Sequence, residues 1–233
     1  MISEFLVYFR LGIEHILDIR GYDHIVFIVA LTAPYRPRAW RQVVILVTAF
    51  TVGHSLTLAL ATVDRVRVPG AWVEFLIPVT ILLTALLHLW GVRSGSAAGP
   101  PTAAGGPRVP GDLRGGVREG PSGALDRSWD DALDPGGGRR LAYAFALVFG
   151  LIHGLGFSNF LRAALGGDAS ILGPLFAFNV GLEVGQVAVV AGVLAVGTAV
   201  TGPLGWTRAR WVGLVSGAIA MVAVYLVVQR VPL

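Results

Sequence analysis

Five stretches of this chain, at residues 43–63, 71–92, 141–161, 171–200 and 210–228, are almost wholly apolar. Each is about as long as a helix must be, about 20 residues, to cross the hydrocarbon core of a bilayer. A sequence of 233 residues that is 55% hydrophobic and only 14% charged, with a mean hydropathy of +0.71, is too apolar for a soluble domain, so a membrane protein is expected. All 18 basic residues are arginine, a bias from which nothing functional follows. The net charge of +4 does not point to nucleic acid, because the arginines stand at the ends of apolar runs, where they anchor to headgroups, and form no basic stripe for phosphates to follow. Cysteine is absent, which excludes disulfides, thiolate metal sites and cysteine nucleophiles, so any metal must be held by nitrogen and oxygen. The amino terminus lacks the basic region of a signal peptide and carries Glu4, Arg10 and Glu14, so the first apolar segment is expected to remain in the mature protein.

That first segment is irregular. Residues 2–17 read as an amphipathic helix, Asp18, Ile19, Arg20 and Gly21 interrupt it, and residues 22–33 are too short to cross alone. Together they form one broken span or a re-entrant pair. Freed backbone groups at membrane depth are tolerated only against protein or a wet cavity, so the break itself marks a site. The expected fold class is all-α, a polytopic transmembrane helix bundle of about six spans. It divides into a first half at 1–92, a Gly/Pro-rich loop at 93–140 expected to be disordered, and a second half at 141–233. If the broken segment counts as one crossing, residues 34–41, 93–140 and 201–210 share one face with roughly a dozen arginines against about five opposite, and that face is expected in the cytoplasm. Two short matches also suggest a duplication: Gly21 to His24 resembles Gly150 to His153, and Ala49 to Gly53 resembles Ala177 to Gly181. Three spans per half would make the repeats inverted, as in many transporters.

Polar residues interrupt the runs where a lipid-facing helix would carry leucine. Asp23 and His24 head an apolar stretch; an ionised Asp at mid-membrane costs about 2.5–3.5 kcal/mol without a partner, so Asp23 either caps a helix or serves His24 as co-ligand or orienting group. Thr48, Thr51 and Ser55 form a helical stripe that could be interhelical glue, whereas His54 beside it is costly there and points to a pathway. His153 lies among glycines that permit close backbone approach. Asn179, Glu183 and Gln186 fall on one helix face, and Glu183 lies mid-span with no arginine within a turn. His15 just before the break is a further candidate, while His88 and Glu74 read as interfacial.

These motifs resemble the HupE/UreJ family of small bacterial membrane proteins. The resemblance rests on His15-Ile16-Leu17, Gly21-Tyr22-Asp23-His24 with Phe27, Thr48 to Thr51 with His54 to Leu58, Phe149 to Leu151 with His153 to Phe157, and Phe178-Asn179 with Glu183 and Gln186. It implies an integral protein of the bacterial inner membrane and a nickel permease activity, with a histidine and Asp-His in the first segment and His-Gly in a later one as metal-linked positions. Two departures stand out. Seven residues separate His15 from Asp23 where the nickel-permease pattern has five, and Phe149 and Gly156 stand where that branch would place a second His and a Glu. The chain looks like the other branch, HupE/UreJ_2-like, in which Glu183 comes from the next span.

The expectation is therefore a permease for a divalent transition metal, nickel or cobalt-like, with His24, His54, His153, Glu183 and Asp23 at the metal and His15, Thr51, Ser55, Asn179 and Gln186 supporting them. No catalytic residue is assigned. Imidazole with oxygen donors suits nickel, cobalt or zinc as a passing substrate without a firmly bound cofactor. The alternatives are an intramembrane zinc-dependent hydrolase built on the same histidines, and a non-catalytic membrane subunit whose polar residues lock helices together. Expected partners are the lipid bilayer and the metal ion, not nucleic acid; a homo-oligomer is compatible.

Overall fold

The computed structural model describes residues 2–97, 138–165 and 172–232. Within them the chain forms seven α-helices and no strand: α1 (Ile2–Leu17), α2 (Asp23–Thr32), α3 (Trp40–Thr62), α4 (Gly70–Ala97), α5 (Gly138–Leu165), α6 (Leu172–Thr201) and α7 (Arg208–Gln229). Four segments, Pro37–Thr62, Gly70–Val92, Leu172–Thr201 and Arg208–Gln229, are long and apolar enough to cross a membrane. Asp23–Thr32 and Ala142–Ser158 are apolar but shorter. Helix α4 runs past the expected span to Ala97 and α5 begins at Gly138, each reaching into the stretch read as a loop. The rest of that stretch, 98–137, lies outside the described residues.

The interruption expected after α1 is present. A single 3₁₀ turn, Ile19–Gly21, closed by the Gly21 N–H on the Asp18 carbonyl at 3.2 Å, separates α1 from α2. Asp23 then opens α2, where a carboxylate suits the positive end of the helix dipole. Its side chain reaches across to Arg230 beyond the end of α7, Nη1 to Oδ2 at 3.0 Å, with both groups largely buried. At the other end of α2, the Ala33 carbonyl accepts from Arg208 and from the Trp211 indole at 3.0 and 3.2 Å. The short helix is thus pinned at both ends to α7.

The helices pack as close pairs. A Cβ at Gly53 would overlap the Leu147 carbonyl, and one at Gly150 the Phe50 carbonyl, so α3 and α5 touch backbone to backbone. The contacts advance together along both chains, from Phe50 on Gly150 to Thr57 on Gly154, so the pair is parallel. Helices α1 and α6 pack alike, with Gly12 on Phe178 and Leu182 and Gly181 on Phe9. Such close approach is the usual basis of helix association in lipid, where apolar burial alone gives no preference for a neighbouring helix over a tail. Helix α4 joins α7 through Val73, Ile77, Ile81, Ile219 and Ala223, within an apolar cluster that also holds Phe27, Phe50 and Phe149. A second cluster gathers Ile16, Ile28, Val47, Leu58, Phe178 and Leu182.

Candidate metal centre

The break between α1 and α2 is what brings two histidines near in sequence to one point. An unbroken helix would set His15 and His24 nine residues apart along its axis, roughly 13 Å at 1.5 Å per residue. Instead their ring centroids lie 4.5 Å apart. His54 of α3 sits 5.9 Å from His15 and 6.1 Å from His24, and His153 of α5 sits 5.4 Å from His24. One nitrogen each from His15, His24 and His54 fall within 4.8 Å of one another, a grouping able to hold a metal ion after small side-chain movements. Tetrahedral nitrogen ligands at about 2.1 Å from a metal stand about 3.4 Å apart.

The rings are enclosed by aromatics from both apolar clusters. Phe27 and Phe50 flank His153 at 5.0 and 5.2 Å, and Phe157 and Phe178 flank His15 at 4.1 and 5.7 Å. His54 is fully buried and His153 nearly so. Inside this shell His15 Nε2, His24 Nε2, His153 Nδ1 and both nitrogens of His54 lack a hydrogen-bond partner. Two rings are oriented from behind. The Thr80 hydroxyl donates to the Ile77 carbonyl at 2.7 Å, so its oxygen accepts from His153 Nε2 at 3.1 Å, which assigns the proton to Nε2 and leaves the lone pair on Nδ1. The His24 ring is hydrogen-bonded to the Gly21 backbone. Support of a ligand's far nitrogen by a carbonyl or hydroxyl is the usual arrangement around metal-binding imidazoles.

The polar residues of α3 and α6 form a separate seam. Thr48 donates to Glu183 Oε1 at 2.5 Å, and Thr51 to Gln186 Oε1 at 2.9 Å. Ser55 turns back onto the Thr51 carbonyl at 2.7 Å, and Asn179 keeps a buried Oδ1 without a partner. Neither Glu183 nor Asp23 belongs to the trio of close ligand atoms; Glu183 is held by Thr48 and Asp23 by Arg230. His15, read from sequence as supporting, stands within that trio. Sequence reasoning passed over Thr80 and Arg230. Thr80 lies one turn before Thr84 in an apolar run, which is a weak signal, and Arg230 reads as a headgroup anchor until the fold brings it to Asp23. His88, expected at the interface, has a buried Nδ1 without a partner.

The profile of one protein family, described as HupE / UreJ protein, matches residues 1–104 and 130–230. The chain belongs to the HupE/UreJ family. No curated protein and no solved structure gives a significant match. The HupE/UreJ match spans both halves, includes every histidine of the cluster and leaves out residues 105–129. With four helices among the described residues long and apolar enough to cross a membrane, this HupE/UreJ member is an integral membrane protein.

Proposed function

We propose that the protein is a permease for a divalent transition metal of the nickel and cobalt class, with His15, His24, His54 and His153 forming the transient site. The observation that carries this reading is the set of buried imidazole nitrogens without partners around one point. An unmade hydrogen bond at a buried group costs about 1–3 kcal/mol. Helix glue would have its donors and acceptors paired, so the subunit reading has no account of five such atoms. Neutral imidazoles suit nickel, cobalt and zinc. The hydrolase reading needs a carboxylate beside the metal-bound water, and neither nearby acid stands in the trio: Glu183 is held by Thr48, and Asp23 is paired with Arg230 through Oδ2 while its buried Oδ1 has no partner. Glu183, Gln186 and Asn179 then serve as a second polar stage along the route, and Asp23 holds α2 in place.

The six-span reading takes α1 and α2 together as one broken crossing and α5 as the fourth. The loop at 34–41, the 93–140 region and residues 201–210 then face the cytoplasm from the inner membrane. Inverted repeats are supported by reciprocal contacts. Gly53 meets Leu147 and Leu151 while Gly181 meets Phe9; Gly150 meets Phe50 and His54 while Gly12 meets Phe178 and Leu182; Gly154 meets Thr57 while Gly185 meets Ile16. One set maps onto the other when α3 is matched to α6 from Phe50 on Phe178, and α1 to α5 from Gly12 on Gly150. In that register His153 corresponds to His15, whereas the short sequence matches paired it with His24. The two close pairs, α1 with α6 and α3 with α5, are then the natural moving bodies of alternating access around a site near the midplane.

Liposomes loaded with a metal-sensitive dye and carrying the protein test this directly. Nickel or cobalt influx above that of empty vesicles is expected, with His54→Ala and His24→Ala lowering it to background. Uptake by His54→Ala at the wild-type rate would remove the site from the pathway.

A further inference from the structure

His15 belongs to two compartments. It contributes to the histidine trio, and it also lines an open depression of about 690 Å³ at the break between α1 and α2, together with Glu14, Asp18 and Phe157. The two spaces differ in what they can admit. The trio's nitrogens lie within 4.8 Å of one another and can hold an ion only after it gives up the waters they replace. Six waters at about 30 Å³ each occupy about 180 Å³, so the depression has room for a fully hydrated one.

We propose that this depression is a vestibule in which Glu14 and Asp18 capture a hydrated divalent cation before it sheds water and passes to His15. The proposal rests on the metal-permease reading. Two exposed carboxylates beside apolar walls formed by Leu11, Leu17, Ile19 and Phe157 concentrate cations and raise their rate of arrival. The buried, unpartnered Nε2 of His15 supplies the first inner ligand beyond them. Glu14 is exposed and paired with Arg10 one turn earlier, Nε to Oε1 at 2.6 Å. Exposed pairs of this kind are weak and exchange readily, so Arg10 acts as a resident counter-charge that an arriving dication displaces. Phe157, in van der Waals range of the His15 ring and stacked on Phe178 at 5.1 Å, forms an apolar wall that offers the ion no ligand, so water is shed only as imidazole nitrogen replaces it.

Stopped-flow binding of Co²⁺ to the full-length chain in detergent, followed by the ligand-field absorbance of the imidazole site, tests the proposal. In the Glu14→Gln/Asp18→Asn double variant the association rate should fall about 5–10-fold at low ionic strength, with the saturating absorbance unchanged. The difference should shrink at about 0.5 M salt, where the Debye length is only a few ångströms. Glu14→Asp should retain most of the rate, and Arg10→Gln should raise it. A double variant that associates at the wild-type rate, or is slowed equally at high salt, overturns the vestibule. So does loss of the saturating spectrum, which would make the two acids direct ligands. If the wild-type protein itself gives no Co²⁺ spectrum, the metal site falls and the vestibule with it; a wild-type spectrum with an unslowed variant sinks the vestibule alone.

Discussion

His54 carries two ring nitrogens, both buried and neither hydrogen-bonded, in a side chain with no exposed surface. A protein that kept this residue only for packing would be more stable with leucine there, because replacing an unsatisfied polar group by an apolar one of similar volume is neutral or favourable. His54→Leu should therefore melt at or above the wild type in metal-free detergent, by up to about 1–2 kcal/mol, and lose any stabilisation by added cobalt. A large drop in the metal-free melting temperature would mean that the imidazole has a structural partner. Glu183 shows the limit of residue-level reading. An acid mid-span with no nearby arginine draws attention in the sequence, yet whether it faces the histidines or a hydroxyl depends on which helix lies opposite. Thr48, 135 positions away, takes that place.

At the level of elements, the glycines sort into two kinds that sequence does not distinguish. Gly21, beside the prominent Asp-His pair, has open space where a Cβ would sit, and its backbone is not in the left-handed region. Gly12, in an ordinary-looking amphipathic helix, has the Phe178 carbonyl and the Leu182 amide there. Gly21→Ala should change stability by no more than about 0.5 kcal/mol. Gly12→Ala should cost at least the 1–3 kcal/mol typical of overpacking, and Gly12→Leu should part α1 from α6. Thermal melts and size-exclusion profiles in detergent read the contrast; equal effects at the two positions would count against the packing of α1 on α6. The helices themselves were legible from apolar run length. The break after Leu17 was also legible, because Asp, Arg and Gly cluster there without periodicity.

For the whole molecule, the family match passes over residues 105–129 while covering both helical halves. Replacing those residues with a short Gly/Ser linker should leave a folded protein whose metal uptake stays within about twofold of wild type, since the family match covers both helical halves without them and lengthening or shortening a connection costs little. Loss of folding would show that the segment packs on the bundle. The halves are held together by contacts far apart in sequence: α1 on α6, α3 on α5, and α2 pinned to α7 by Asp23, Arg230 and the Ala33 carbonyl.

Composition and run length by themselves determined that the chain is helical and belongs in a bilayer, because solvation of the backbone in lipid admits few solutions and each leaves its mark on hydropathy. The residue types of the candidate site were likewise visible, since imidazoles and acids are conspicuous among leucines. What only the tertiary structure decided is which of them meet. It joined His15 to His24 and His54 and His24 to His153, set Glu183 and Gln186 against threonines, and gave Asp23 to Arg230. The physical reason is that neighbours across helices are chosen by backbone approach at glycines, a property of pairs of distant segments that no single stretch of sequence records.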